Sequence, residues 1–308
     1  MNEIYVTDVE VVRPGSGYGQ RSRAERHAVA FIARYPVERT REAYETGLRQ
    51  FFGWCDEARI DPLDATWKEI ELFARTLELA GRKPATVAAR LNVLAGFYKY
   101  ALIDGLIEKN PMVFVSRPKL QRISSTVGLT RTEFADVLNV ADQIPLRDHA
   151  LICVLGLNGL RVAEATAIDI EDLGRWRGQR TVCVLRKGGK RQVIPFASRT
   201  AWLVDQLAAD RDAGPLFLSA SGRRLDRAGA ARIVTRTVRK AHITKRITPH
   251  SFRHTFVTMA LDAGQRERDI AASTGHADSR MVSYYDRNRD SIARNSTHAV
   301  AAWVEGAT

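Results

Sequence analysis

The sequence predicts a mainly α-helical protein of two domains, with one small β-hairpin in the second. Three observations carry this. Apolar residues recur at helical spacing through residues 23–115 and again through most of 128–308. Between them, 116–127 (SRPKLQRISSTV) is polar and basic and has no periodicity, which marks a linker. Two β-rich runs, 181–186 (TVCVLR) and 191–196 (RQVIPF), flank a Lys-Gly-Gly-Lys turn.

Taken in order, residues 1–22 hold Pro14, Gly15, Ser16, Gly17 and Gly19 and are expected to form a flexible arm. In the first domain, Tyr44, Leu48, Phe51, Phe52 and Cys55 share one helical face. Thr66 and Glu69 form a capping box ahead of Ile70, Phe73 and Leu77. Pro84 opens a further long helix carrying Val87, Leu91, Leu94, Phe97, Tyr98 and Ala101. Its polar side offers Lys83, Arg90 and Asn92, and Asn110-Pro111 ends the helical run. In the linker, Arg117, Lys119 and Arg122 are spaced to follow a phosphate backbone. Thr130 with Glu133 then caps the first helix of the second domain.

The formal net charge is +12, from 47 basic and 35 acidic residues. Nine of those twelve charges fall after Thr126, where 28 basic residues face 19 acidic ones. One stretch holds Arg223, Arg224, Arg227, Arg232, Arg236, Arg239, Lys240, Lys245 and Arg246, with Asp226 its only acid. Such a face is either simply solvated or binds a polyanion, and the overall excess favours nucleic acid. Cys55, Cys153 and Cys183 are scattered in apolar surroundings, as expected of core thiols in a reducing compartment. No apolar run reaches the ~18 residues of a membrane span, and no secretory leader is apparent, so a cytoplasmic, nucleoid-associated protein is expected.

Four places in the second domain could carry chemistry. Arg161 follows the glycine-broken helix end Gly156-Leu-Asn-Gly159, with Glu164 one turn on; Lys187 sits on the hairpin. His250 and Arg253 stand three apart on one helix, and Thr274-Gly275-His276 precedes Tyr284-Tyr285. Singly, each reads as readily as a surface arginine, a solubilising lysine, a core histidine or packing tyrosines. His250 and His254 have the i, i+4 spacing of zinc ligands, but Ser251 stands where the zincin pattern needs Glu. Gly188-Gly189-Lys190 lacks the flanking residues of a P-loop, and no carboxylate cluster suggests a two-metal nuclease. No metal or other cofactor is expected.

In chain order, the four places closely resemble the tyrosine recombinase (phage integrase) family, its Xer-like and simple integrase members in particular. The resemblance extends upstream through Lys83-Pro-Ala-Thr86, Phe97-Tyr98-Lys-Tyr100 and Lys109-Asn110-Pro111 to cover residues 24 to 300. It implies a two-domain DNA clamp: a helical core-type DNA-binding domain (23–115), the linker (116–127) and a catalytic domain with a C-terminal tail (128–308). It further implies Arg161, Lys187, His250, Arg253, His276 and Tyr285 as catalytic residues, with Glu164 supporting them. The family spacing selects Tyr285 over Tyr284 and Lys187 over Lys190. Thr274 departs from the usual Leu, a change expected to touch packing more than chemistry. The short arm leaves no room for an arm-type DNA-binding domain.

The implied function is site-specific recombination through a 3′-phosphotyrosine and a Holliday junction, in integration, excision or dimer resolution. Double-stranded DNA sites, a tetramer of this chain and an accessory directionality factor are the partners, without a membrane. Ile292, Val300, Trp303 and Val304 give the tail an apolar side that could dock on a neighbouring protomer. DNA contacts are expected from Lys83, Arg90, Arg117, Lys119, Arg223, Arg224 and Lys245. Type IB topoisomerase-like relaxation and a non-catalytic DNA-binding factor are the alternatives.

Overall fold

The structure, a computed structural model, describes residues 21–119, 126–186, 189–276 and 282. Residues 1–20 of the expected arm and the tail after Tyr285 lie outside the described residues. The chain divides into two compact units, Met1–Gln121 and Arg122–Thr308.

The first unit is helical: α1 (Arg23–Ala33), α2 (Glu38–Ala58), α3 (Trp67–Leu79), α4 (Pro84–Ile103) and a 3₁₀ turn at Pro111–Phe114. Local chemistry sets the ends. Ser22 with Glu25 and Thr66 with Glu69 each exchange both hydrogen bonds of a capping box. Pro84 opens α4 at its first position, where its missing N–H costs nothing. The face predicted for α2 is the face that buries: Leu48, Phe51, Phe52 and Cys55. It meets Ile70 and Phe73 of α3 and Leu91, Leu94, Phe97 and Tyr98 of α4. Phe51 and Phe73 pack edge to face at 5.2 Å, a favoured aromatic geometry. The hydroxyl of buried Tyr98 donates to the Pro62 carbonyl at 2.6 Å, and burial raises its pKa well above the ordinary value.

The second unit is built around α6 (Leu146–Gly156). Residues Asp148 to Gly156 are buried without a break, so beyond its first two residues this helix has no solvent face. α5 (Arg131–Ala141), α8 (Ser198–Ala208), α9 (Arg227–Lys240) and α10 (Pro249–Asp262) pack against it. Gly156 lets two of these close in. A Cβ there would lie 2.4 Å from the Phe134 ring and 3.1 Å from Phe252, whose rings meet at 5.9 Å. The short α7 (Val162–Ala167) and α11 (Glu267–Thr274) complete the helices described.

The sheet has three antiparallel strands rather than the two expected. β2 (Gln179–Leu185) pairs β3 (Arg191–Pro195), with Val182 opposite Ile194 and Leu185 opposite Arg191. An additional strand, β1 (Leu173–Trp176), pairs the other edge of β2. It has four residues, one of them Gly174, too few to show an alternating pattern. Its turn, Arg177-Gly178, has φ of 47° and 82°, the type I′ geometry usually signalled by Asn-Gly or Asp-Gly. No helix among the described residues is long and apolar enough to cross a membrane.

Phe51→Ala should lower the unfolding free energy by about 3–5 kcal/mol, the usual cost of deleting a fully buried phenylalanine. Chemical denaturation of the full chain checks it.

Candidate active site

The site is assembled from three chain ends. The first is the turn between α6 and α7. Gly159 has a φ of 62°, and a Cβ there would sit 2.4 Å from Phe256 of α10, so only glycine lets the turn press on that helix. Arg161 occupies the N-cap of α7. Glu164, at the third helical position, accepts from the Arg161 backbone N–H at 2.9 Å and from its Nη1 at 2.7 Å. Glu164 therefore positions Arg161 by both main chain and side chain. Arg161 remains partly open to solvent, with 37 % of its side chain exposed.

The second is the start of α10. Thr248 caps it, Pro249 is its first residue, and His250 and Arg253 follow on the expected face. Their surroundings differ sharply. His250 is exposed, whereas Arg253 is 1 % exposed. A buried guanidinium must find acceptors. Arg253 Nη1 donates to the Gly159 carbonyl at 2.8 Å, and Nη2 to the Thr274 carbonyl at 2.5 Å and the His276 Nε2 at 3.1 Å.

The third is the C-terminus of α11. Gly275 adopts the left-handed conformation, φ 64°, and ends the helix. The carbonyls of the last turn, which lack intrahelical partners and carry partial negative charge, are left open. Three arginines take them. Arg253 holds Thr274, Arg161 Nη2 reaches Gly275 at 3.3 Å, and Arg186 donates to Ser273 and Thr274 at 2.9 Å each.

Arg186 is the site residue that the sequence analysis missed. It is 6 % exposed, its Nη1 lies 2.8 Å from Glu164 Oε2, and its Nε donates to Gln192 of β3 at 3.2 Å. Gln192 in turn donates to the Ala272 carbonyl at 2.7 Å, so the root of the hairpin is tied to α11 twice. The alternation of β2 held the clue. Arg186 is in phase with Val182 and Val184, the strand's buried apolar residues. Gly275 is required here for a second reason: a Cβ on it would lie 2.8 Å from Arg186 Nε.

The electrostatics follow from this crowding. His276 is pushed down from 6.5 to about 4, first by burial and then by the charges of Arg253, Arg161, Arg186 and His250. His250 is lowered by the protein packed around it and then by Arg253 and Arg161, although its side chain still reaches solvent. Both rings are neutral at pH 7. Thr274 is fully buried, and its hydroxyl lies 2.8 Å from His276 Nδ1. The departure from Leu at this position therefore sets a hydroxyl against the His276 ring, a polar contact in addition to the packing change that was expected.

Arg161, Glu164, His250, Arg253 and His276 are thus brought together. Lys187, Tyr284 and Tyr285 lie outside the described residues. Of the candidate DNA contacts in the first unit, Lys83 and Lys119 are exposed. Arg117 is held by Asn92 at 2.7 Å and Arg90 by Gln50 at 2.6 Å, with burial lowering the pKa of Arg90. In the second unit α9 turns its arginines outward and buries Ala230, Ile233, Val234 and Val238. Beside it a groove of about 770 Å³ is lined by Thr235, Arg239, His242, Lys245 and Arg246, among others. Arg223 remains on the surface, Arg224 pairs with Asp169 at 2.6 Å, and Lys245 with Glu133 at 2.8 Å.

Comparison with known proteins decides the family. The phage integrase family pattern matches residues 128–291, more than half the chain, and the phage integrase N-terminal SAM-like domain matches 31–105. This chain belongs to the phage integrase family. It is a tyrosine recombinase, an enzyme of site-specific DNA recombination. The tyrosine recombinase XerC of Pelobacter propionicus is 31 % identical over 246 residues, 77 % of this chain and 81 % of that one. The tyrosine recombinase XerD of Listeria innocua is 28 % identical over 261 residues, covering 80 % and 86 %. These relatives do not favour the topoisomerase or non-catalytic alternatives.

Among solved structures, the fold of this recombinase is similar to XerH bound to palindromic difH substrate in a post-cleavage complex. The TM-score is 0.71 at 20 % identity, covering 92 % of this chain and 86 % of that one. A lambda integrase dimer bound to a COC′ core site gives 0.69 at 18 % identity, covering 87 % and 77 %.

Arg186→Met should destabilise the fold by about 3–5 kcal/mol, as expected when one partner of a buried ion pair is removed. The exposed Lys190→Met should stay within about 0.5 kcal/mol of the parent; chemical denaturation compares the two. Stability should also depend on pH through His276. Unfolded, its ring binds a proton near 6.5; folded, near 4, so stability is lost as pH falls through that window. Unfolding free energies measured between pH 7 and 4 should fall less steeply in His276→Gln.

Proposed function

We propose that Tyr285 attacks a DNA phosphodiester within a site formed by Arg161, Arg253, His250, His276 and Lys187. The convergence of Arg161, His250, Arg253 and His276 on the end of α11 is the observation that carries this reading. A phosphodiester resists nucleophiles because its oxygens are negative and an alkoxide leaves poorly. Guanidinium groups close to the non-bridging oxygens stabilise the added charge of the transition state. Arg161, the more open of the two, is the better placed to meet phosphate directly; Arg253 supports it from the interior.

A tyrosine phenol, with an ordinary pKa of about 10, must lose its proton to attack. His250 can accept that proton because its lowered pKa leaves it neutral at pH 7. Lys187 supplies a proton to the departing 5′ oxygen. The bond broken in DNA is replaced by a 3′-phosphotyrosine, so rejoining to another 5′ hydroxyl requires neither nucleotide hydrolysis nor an external energy source.

DNA is contacted by the first unit through Lys83, Arg90, Arg117 and Lys119, and by the second through Arg223, Arg224, Lys245 and the α9 face. The pairs Arg224–Asp169 and Lys245–Glu133 open as phosphate replaces carboxylate. Four protomers join on two sites and exchange strands through a Holliday junction, the tail passing to a neighbour. A lambda integrase tetramer bound to a Holliday junction, similar in fold to this chain, supports that assembly. An accessory factor sets direction, and the enzyme acts in the cytoplasm at the nucleoid.

Tyr285→Phe should abolish covalent attachment to a nicked suicide substrate carrying the recombination site, while DNA affinity stays near that of the parent. Undiminished adduct in the variant would refute the assignment. Cleavage should be unchanged by EDTA, and strict dependence on added divalent metal would return attention to a nuclease.

A further inference from the structure

The contacts around Thr274 determine which nitrogen of His276 carries the proton. The Thr274 hydroxyl has one proton. It lies 2.6 Å from the Ile270 carbonyl and 3.5 Å from that of Ala271, both acceptors only. With the proton directed there, the oxygen meets His276 Nδ1, 2.8 Å away, with a lone pair, so Nδ1 must be the donor. An independent contact agrees. Arg253 Nη2, 3.1 Å from Nε2, can only donate, so Nε2 must be unprotonated.

We propose that Thr274 is a positioning residue that holds His276 as the neutral Nδ1–H tautomer, with Nε2 accepting from Arg253. The charges facing the ring favour the same state: Arg253 and His250 from α10, Arg161 from the turn before α7 and Arg186 from the end of β2. In this state the ring steadies the buried guanidinium and has no Nε2 proton to donate to a phosphate oxygen. With Nδ1–H committed to Thr274, Nε2 gains a donor proton only by forming the imidazolium. A leucine or valine at position 274 removes one of the two constraints, leaving only the Arg253 donor to oppose a neutral ring with its proton on Nε2. The tautomer stands on the DNA-free protein; its effect on cleavage rests on the function proposed above.

The test uses the full-length protein with ¹⁵N-labelled histidine at pH 7 without DNA. His276 is assigned by comparison with His276→Gln. Long-range ¹H–¹⁵N correlations should give a protonated Nδ1 and a bare Nε2 in the parent and in Thr274→Ser. In Thr274→Val an Nε2–H population should appear. An Nε2–H tautomer or an imidazolium in the parent would overturn the proposal, as would an unchanged pattern in the valine variant. Should Thr274→Val fail to fold, the parent and the serine variant still decide, since both must show Nδ1–H.

Cleavage of the suicide substrate should fall about tenfold in Thr274→Val, the effect of one lost hydrogen bond that orients the site, and be restored by serine. An equal loss in both variants would assign Thr274 to packing alone. Absence of cleavage in the parent enzyme would count against the proposed function and leave the tautomer result intact.

Discussion

The last turn of α11 is where the catalytic domain's arrangement is fixed. A helix that stops at a left-handed glycine leaves its final carbonyls without N–H partners. Here the carbonyls of Ser273, Thr274 and Gly275 receive Arg186, Arg253 and Arg161, which arrive from a hairpin, a helix and a helix-entry turn. The partial negative charge of the helix end helps to offset three positive charges, two of them buried. Moving any one of these elements would break guanidinium–carbonyl hydrogen bonds at the helix end, which favours one geometry.

This frame explains why Glu164 matters without touching a substrate. Among the described residues it is the carboxylate that pairs with both Arg161 and Arg186, and it also accepts from the backbone N–H of Arg161 at the N-cap of α7. A lone carboxylate buried this deeply would be costly; shared between two guanidiniums it aligns them. Burial, and after it the neighbouring positive charge, keeps His250 and His276 neutral. One arrangement thus leaves both rings neutral and lets His276 receive a hydrogen bond from Arg253.

The basic residues divide into two populations. Arg186 and Arg253 are spent inside, on carbonyls and Glu164, and build the site. Arg227, Arg232 and Arg239 of α9 are exposed on the side away from its buried apolar residues, while Arg236 pairs with buried Asp148. Total charge counts both alike, although only the second kind can give up counterions to a polyanion.

Much of the site was legible because catalysis of this kind uses residue types at fixed spacing along short segments. His250 and Arg253 lie on one helical turn, Arg161 and Glu164 on another, and the capping boxes of α3 and α5 are equally local. β1 and Arg186 were not read. The strand is too short for periodicity, and the arginine's importance comes from carbonyls 87 and 88 residues away. Thr274 was read as a packing change because its chemistry depends on which way a hydroxyl points. Residue identity and near-neighbour spacing were enough for the helical units, the family and the candidate site residues of the second unit. Only the tertiary structure decided that three arginines share one helix end and that His276 faces Arg253 with a bare nitrogen. Hydrogen-bond direction and burial arise from distant segments meeting, and no local pattern records that meeting.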